Sequence, residues 1–163
     1  MRPAGVGDEG FLWVMLFEAA HAGEDGMVGP DEVRGVPVLA HYVEGWGRPG
    51  DLGVIAVDTD GEPVGAAWLR LFVGDDAAFG WVDDETPEVA IAVAPGVTGA
   101  GIGTALLTRL LDDAAGVHPA VSLSVRADNP ARRLYERLGF ALVDDSDRPN
   151  RAGSISVTMV RRL

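Results

Sequence analysis

Residues 93–107 read Val93-Ala94-Pro95-Gly96-Val97-Thr98-Gly99-Ala100-Gly101-Ile102-Gly103-Thr104-Ala105-Leu106-Leu107, an apolar strand that runs through a glycine-rich turn into the start of a helix. Glycines at alternate positions (Gly99, Gly101, Gly103) let the backbone approach a ligand closely. A helix that begins there aims unpaired N–H groups and the positive end of its dipole at an anion. The stretch is built to hold a pyrophosphate without a lysine. Two competing phosphate motifs fail on spacing. A Walker A loop needs lysine followed by serine or threonine after its last glycine, and there is no lysine at the helix start. A dinucleotide fingerprint beginning at Gly99 and Gly101 demands glycine at position 104, which is Thr104.

The partner of this cradle lies downstream. Val121-Ser122-Leu123-Ser124-Val125 alternates as a half-buried strand does and leads into Arg126-Ala127-Asp128-Asn129-Pro130-Ala131-Arg132-Arg133-Leu134-Tyr135-Glu136-Arg137-Leu138-Gly139-Phe140. Asn129 reads as an N-cap, Pro130 as the first helical position and Gly139 as the C-cap of a short helix.

These two segments resemble the GNAT superfamily of N-acetyltransferases. The family form V-x-P-x-x-[RQ]-x-x-G-x-G is matched by Val93, Pro95, Gly101 and Gly103, and the form N-x-x-A/R-x-x-Y-x-x-x-G-F by Asn129, Tyr135, Gly139 and Phe140. Together they cover roughly residues 88 to 145. Thr98 stands where the family usually has arginine or glutamine, so a side-chain contact to phosphate is lost while the backbone cradle is retained. The resemblance implies an α/β GNAT-like fold: a mixed, mostly antiparallel sheet with helices on both faces, whose splayed central strands hold CoA.

At 163 residues the chain can bury about 70% of its unfolded surface, and it is read as one domain over 1–163. The apolar segment Phe11 to Ala20 is too short for a membrane span and lacks a basic leader, so no membrane association is expected and the cytoplasm is the default location. With no cysteine, disulfides, thiolate metal sites and a cysteine nucleophile are excluded. The 25 acidic residues against 13 basic ones, all arginine, give a net charge of −12. That balance argues against nucleic acid as a partner. It favours steering of a cationic amine, or simply keeps the protein soluble. His21, His41 and His118 are too scattered for a metal site, and no metal is expected.

Periodicity predicts a first helix from Asp8 to about Ala20 with Phe11, Leu12, Met15, Leu16 and Ala19 on one face. It predicts a loop over Gly23 to Pro30, a second helix from Pro37 to about Tyr42, and a loop over Gly45 to Gly50. Strands over 52–57 and 63–73 are joined at Thr59-Asp60-Gly61. An acidic loop spans 74–87. Further strands are expected over 88–93, 121–126, 140–143 and 155–160, with helices over 101–115 and 130–138 and a polar loop before Gly153.

Acetyl transfer from a thioester to an amine requires a deprotonated amine, a polarised carbonyl and a proton for the departing thiolate. The resemblance implies that the backbone of the strand carrying Ile91-Ala92-Val93 pairs with pantetheine and polarises the thioester, through Ala92 and Val93. The expected cofactor contacts are completed by Thr98, Gly99, Ala100, Gly101, Gly103, Thr104 and Asn129, the last serving pantetheine, the helix cap, or both. Tyr135 is the candidate general acid, with packing on Leu138 and Phe140 as the alternative. Glu88 shares a face with Ala90 and Ala92 and is the candidate general base; the alternative is a solvated strand end, and Asp83, Asp84 and Glu85 are other carboxylates nearby. Trp46, Trp68, Arg70 and Trp81 are candidates for an acceptor pocket formed by the N-terminal helices, the Gly45 to Gly50 loop and the Phe79 to Trp81 loop.

The expected function is an N-acetyltransferase that moves acetyl from acetyl-CoA to the primary amine of a small molecule or peptide by direct attack. The competing function class is a non-catalytic acyl-CoA-binding sensor or interaction module. The alternating last strand, Ile155 to Val160, would pair at a sheet edge in a homodimer.

Overall fold

The computed structural model describes residues 1–97 and 99–163, so Thr98 lies outside the described residues. Eight strands form one sheet in the order β1-β2-β3-β4-β5-β8-β6, with β7 also paired to β8. The strands are β1 (Arg2–Pro3), β2 (Leu52–Val57), β3 (Pro63–Arg70), β4 (Glu88–Val93), β5 (Ala120–Arg126), β6 (Ala141–Leu142), β7 (Arg148–Pro149) and β8 (Ile155–Arg162). The helices are α1 (Glu9–Ala19), α2 (Pro30–Arg34), α3 (Pro37–Ala40), α4 (Ile102–Ala114) and α5 (Arg132–Arg137). Every pairing is antiparallel except the central one between β4 and β5. A parallel pair needs a crossover, and α4 supplies it.

Two apolar layers sandwich the sheet. On one side Leu106, Leu107, Leu110, Leu111 and Ala114 of α4 pack on Val54, Ala67, Leu69, Val89, Leu123 and Val125, with Tyr135 and Phe140 from the α5 region. On the other, Leu12, Met15 and Leu16 of α1 pack with Val33, Leu39, Tyr42, Ile55, Ala66 and Trp68. The α4 leucines recur at i, i+1, i+4 and i+5, one stripe of a helix of 3.6-residue period. Cutting one of these fully buried leucines to alanine costs about 2–5 kcal/mol.

The expected strands and the two long helices are found, with differences at short elements. Pro30 opens a helical turn, α2, where a loop was expected to end; proline at the first helical position needs no N–H there. The strand expected over 63–73 ends at Arg70, and Phe72 turns inward to bury. The short helix begins at Arg132 instead of 130, while Asn129 Oδ1 accepts the Ala131 N–H at 2.8 Å ahead of it.

The largest difference concerns the last strand. β8 is paired to β5 from Ser156 to Arg162 on one side and to β6 and β7 on the other. Its backbone groups are committed to the sheet interior, so it offers no free edge to a second copy. The alternation seen in its sequence reflects two different faces, not an exposed rim.

Candidate functional site

The ladder between β4 and β5 is a single rung. Glu88 opposes Ser122, and the Ser122 N–H donates to the Pro87 carbonyl at 3.0 Å. Past that point the strands part, and a cavity of about 810 Å³ opens between them, lined by Glu88–Val93, by Leu123–Arg126 and by Asn129 and Tyr135.

Alternation along β4 decides which backbone groups face the gap. The Ala94 N–H donates to Val64 O on β3 at 2.8 Å, and residues two apart along a strand point the same way. Ala92 and Ala90, which register with Ala66 and Trp68 of β3, therefore spend their N–H and C=O groups on β3. Ile91 and Val93 point theirs into the gap. Ala92, expected to serve through its backbone, is turned away and contributes only its methyl group to the cavity wall; Ile91 takes that place beside Val93. On β5 the same parity turns Ser124 and Arg126 toward the gap, because the Ala127 N–H donates to Ile155 O on β8 at 2.8 Å and Val125 and Leu123 point the same way. Unpaired backbone groups at the middle of a sheet require a partner, and an extended amide-bearing ligand is the shape that supplies one.

Beyond Val93 the chain turns through Pro95 and Gly96 to the cradle. Gly99 and Gly101 have φ of +86° and +77°, and Gly101 is the N-cap of α4. An L side chain rarely adopts that conformation. A Cβ at either position would meet nothing within 4 Å, so the turn borders open space. The first turn of α4 carries no acidic residue. Ala100, Gly101 and Thr104 are exposed and Gly103 is partly exposed. These N–H groups fit a diphosphate, and the open gap edge fits an amide arm. The contribution expected of Thr98 lies outside the described residues.

Tyr135 is buried in the α4 layer and lines the cavity, with its ring edge-on to Phe140 at 6.0 Å. Burial pushes its hydroxyl up to about 12, so it stays protonated through the neutral range. Both readings of Tyr135, packing and proton donation, are compatible with this placement. Asn129 lines the same cavity; its Nδ2 lies 3.4 Å from His21 Nε2, while His21 Nδ1 lies 3.1 Å from Glu24.

Glu88 is no solvated strand end. Only 3% of it is exposed, and burial raises its carboxyl to about 7 from the ordinary 4.5, opposed by the Tyr42 hydroxyl and by the nearby Gly80 N–H. The Tyr42 hydroxyl donates to Glu88 Oε1 at 2.5 Å and accepts the Phe79 N–H at 3.2 Å. The Tyr42 hydroxyl is itself pushed well up by burial and by the adjacent carboxylate. Glu88 Oε2 is buried without a hydrogen-bond partner among the described residues. Gly80 presses on this group: a Cβ there would sit 2.9 Å from the Glu88 carboxyl carbon and 2.7 Å from the backbone of Leu123 and Ser124. Asp83, Asp84 and Glu85 are exposed. Asp83 is held low, chiefly by a hydrogen bond from the Thr86 side chain, and is a poor base at neutral pH.

The acceptor residues expected from sequence divide sharply. Trp68 is core, its Nε1 donating to Tyr42 O at 3.1 Å. Arg70 is buried against Asp51, and Trp46 is buried with Arg70 5.6 Å over its ring. The Gly45 to Gly50 loop does not line the cavity. Phe79 does, and together with Trp81 it also borders a second cavity of about 320 Å³ beside Asp144, Asp145 and Arg148. The two cavities share Ala78, Phe79, Ser146, Arg148 and Thr158.

A strap of charges crosses the other end. Arg126 Nη1 meets Glu24 at 2.5 Å, and Arg151 meets Asp25 at 2.6 Å. Tyr42, Gly80, Ile91 and this strap were not anticipated. Parity along β4 could have exposed Ile91, whereas Tyr42 meets Glu88 only through a contact 46 residues apart. Among the described residues no cluster of histidine and carboxylate groups is placed to hold a metal, and no helix is long and apolar enough to cross a membrane.

Residues 17–140 match the profile of a family described as the Acetyltransferase (GNAT) family. The chain is 33% identical over 144 residues to a mycothiol acetyltransferase of Beutenbergia cavernae, covering 85% of this chain and 43% of that protein. It is 36% identical over 147 residues to a mycothiol acetyltransferase of Kineococcus radiotolerans, covering 86% and 42% respectively. The chain thus spans less than half the length of these curated relatives. Among solved structures, a ribosomal-protein-alanine N-acetyltransferase from Brucella melitensis superposes with a TM-score of 0.71 at 19% identity, covering 99% of this chain and 98% of that one. A phosphinothricin acetyltransferase from Sinorhizobium meliloti in complex with acetyl-CoA gives 0.66 at 21% identity, covering 99% and 86%.

Proposed function

The chain belongs to the GNAT acetyltransferase family, and from that membership we propose that it moves an acetyl group from acetyl-CoA to a primary amine by direct attack. The observation that carries this reading is the one-rung junction between β4 and β5, with a buried carboxylate at the rung and a buried phenol on the wall. Acetyl-CoA supplies the activated acetyl group, an extended amide arm and a diphosphate. Ile91 and Val93 offer backbone groups to the arm and the acetyl carbonyl, and the N-terminal amides of α4 offer donors to the diphosphate.

Glu88, poised near neutrality, takes a proton from the acceptor ammonium and leaves a lone pair on nitrogen. The C–N bond forms as the C–S bond breaks. Tyr135 gives its hydroxyl proton to the departing thiolate and is restored by the second proton lost from nitrogen. The proton held by Glu88 goes to water. The products are an acetamide, a thiol and one proton, and no enzyme nucleophile is needed.

The second cavity supports a cationic acceptor. Phe79 and Trp81 are 46% and 41% exposed there beside Asp144 and Asp145, and an aromatic face with a nearby carboxylate suits an ammonium. A small amine or a peptide amino terminus fits this chemistry. The mycothiol acetyltransferases are relatives of larger size, and their acceptor is a candidate in the same screen. The test is calorimetric binding of acetyl-CoA followed by thiol release against a panel of primary amines. One-site binding with release on a subset of amines supports the reading. Tight binding with no release on any amine favours the non-catalytic acyl-CoA sensor instead.

A further inference from the structure

Glu88 has two carboxylate oxygens in unlike surroundings. Oε1 receives the Tyr42 hydroxyl at 2.5 Å, while Oε2 is buried without a partner among the described residues. A buried acceptor left unpaired costs about 1–3 kcal/mol, so its persistence beside a cavity calls for a use. Tyr42 is itself held from three sides. Its ring packs edge-on to Phe72 at 5.1 Å and lies parallel to Phe79 at 6.5 Å, and its oxygen accepts the Phe79 N–H. The hydroxyl hydrogen is thereby left to point at Glu88, and the phenol cannot swing away without breaking the Phe79 contact.

We propose that Tyr42 is a positioning residue for the transfer reaction: its hydroxyl clamps Glu88 Oε1 so that Oε2 is the oxygen presented to the acceptor's proton. This rests on the reading of Glu88 as general base. A carboxylate free to rotate offers either oxygen in a range of directions, whereas one with a fixed oxygen offers a single lone-pair direction, which is the geometric requirement for proton transfer to a bound amine. The clamp also tunes the base. A donor to the ionised form favours that form, so Tyr42 works against the burial that keeps the proton on.

The other polar groups around Glu88 are accounted for. On β3 its registered neighbour Arg70 is neutralised by Asp51. On β5, Ser122 is uncharged and Arg126 is paired with Glu24. His41, beside Tyr42, is paired with Asp76, and Glu18 of α1 lines the same cavity. Tyr42 is the side chain among them that donates directly to the carboxylate.

The experiment is a carbon-13 NMR titration of the full chain labelled at glutamate Cδ, with Glu88 assigned by its loss in Glu88→Gln. In Tyr42→Phe, which keeps the ring and its packing, the Glu88 midpoint moves up by about one pH unit, a tenfold gain in proton affinity. Site-specific 3,5-difluorotyrosine at 42, a stronger donor, moves it down and keeps the variant testable should phenylalanine disturb the fold. An unmoved midpoint in both overturns the inference. With an amine that the panel turns over, kcat/KM of Tyr42→Phe falls about fivefold further near pH 7 than at pH 9, where the lost orientation alone remains; a loss equal at both pH values overturns it, because that is what misfolding would give. An acid limb that persists in Glu88→Gln overturns the base reading itself, and is told apart from a limb that vanishes in Glu88→Gln but ignores Tyr42.

Discussion

Arg70 and Asp51 form a two-pronged ion pair, Nε to Oδ1 at 3.0 Å and Nη2 to Oδ2 at 2.7 Å, with 2% and 4% of the two side chains exposed. The remaining Arg70 nitrogen donates to the carbonyls of His41 and Glu44 at 2.8 and 2.9 Å. The pair therefore pins the segment carrying Tyr42 to the end of β3 that faces Glu88. Asp51→Ala strands the guanidinium in the interior and is expected to lower stability by about 3–5 kcal/mol, read from the shift of the urea midpoint. The reciprocal Arg70→Ala behaves alike. Acetyl-CoA affinity per folded molecule stays near that of the parent, since neither residue lines the cavity.

Glu88 makes stability depend on pH in a stated direction. Its carboxyl holds its proton to about 7 in the fold and releases it near 4.5 when unfolded. Between those values the native state binds more protons than the unfolded chain, so stability falls as pH rises through the window. Wild type is expected to lose on the order of 3 kcal/mol across it relative to Glu88→Gln. Urea denaturation of both proteins at pH 5 and pH 8 checks this; parallel behaviour of the two would refute the buried-carboxylate account.

Tyr135→Phe should lower kcat by about 10²-fold, the low end for a lost acid catalyst, while acetyl-CoA affinity by calorimetry changes little. Because the Tyr135 hydroxyl stays protonated to about 12, no basic limb below pH 10 should come from it. Full turnover in the variant would leave Tyr135 with packing alone.

Gly80→Ala places a methyl group against the Leu123 and Ser124 backbone at 2.7 Å, where a central strand cannot yield. The loop must lift instead, away from the Glu88 carboxylate. Turnover should drop at least tenfold with a raised acid limb, whereas acetyl-CoA binding persists. Equal losses in both would place Gly80 in the cofactor wall.

Gly101→Ala tests the cradle. Holding an L residue at a φ of +77° costs about 1–2 kcal/mol, which calorimetry reads either as weaker acetyl-CoA binding or as lower stability of the free protein. A variant unchanged in both respects would show that the turn is not used as built.

What was legible from sequence depended on range. The strand at 88–93, the cradle and α4 are written in local periodicity and glycine spacing, so their bounds are nearly right. The face shared by Glu88, Ala90 and Ala92 is equally local, and it correctly set Glu88 apart from Val89, Ile91 and Val93. The same alternation also governs backbone groups, and applying it would have exchanged Ala92 for Ile91. Arg70, Trp46 and Trp68 looked like pocket residues because charge and aromaticity are visible in sequence while burial is not. Tyr42 carried no local sign, since its role arises from two segments brought together by the fold. The position of β8 inside the sheet was hidden for the same reason: alternation reports faces, not neighbours.

The one-rung junction at Glu88 and Ser122 has a mechanical side. β1 to β4 and β5 to β8 are two well-stitched ribbons that meet at a pivot, so the free protein should breathe as two cooperative units, each with its own opening energy. An acetyl-CoA arm laid into the cleft would act as a suture, and native-state hydrogen exchange should then find the slow amides of β3 and β8 reporting one shared opening where the free protein reports two. The amides of β3, a strand that does not line the cavity, are thus placed to sense the cofactor from a distance.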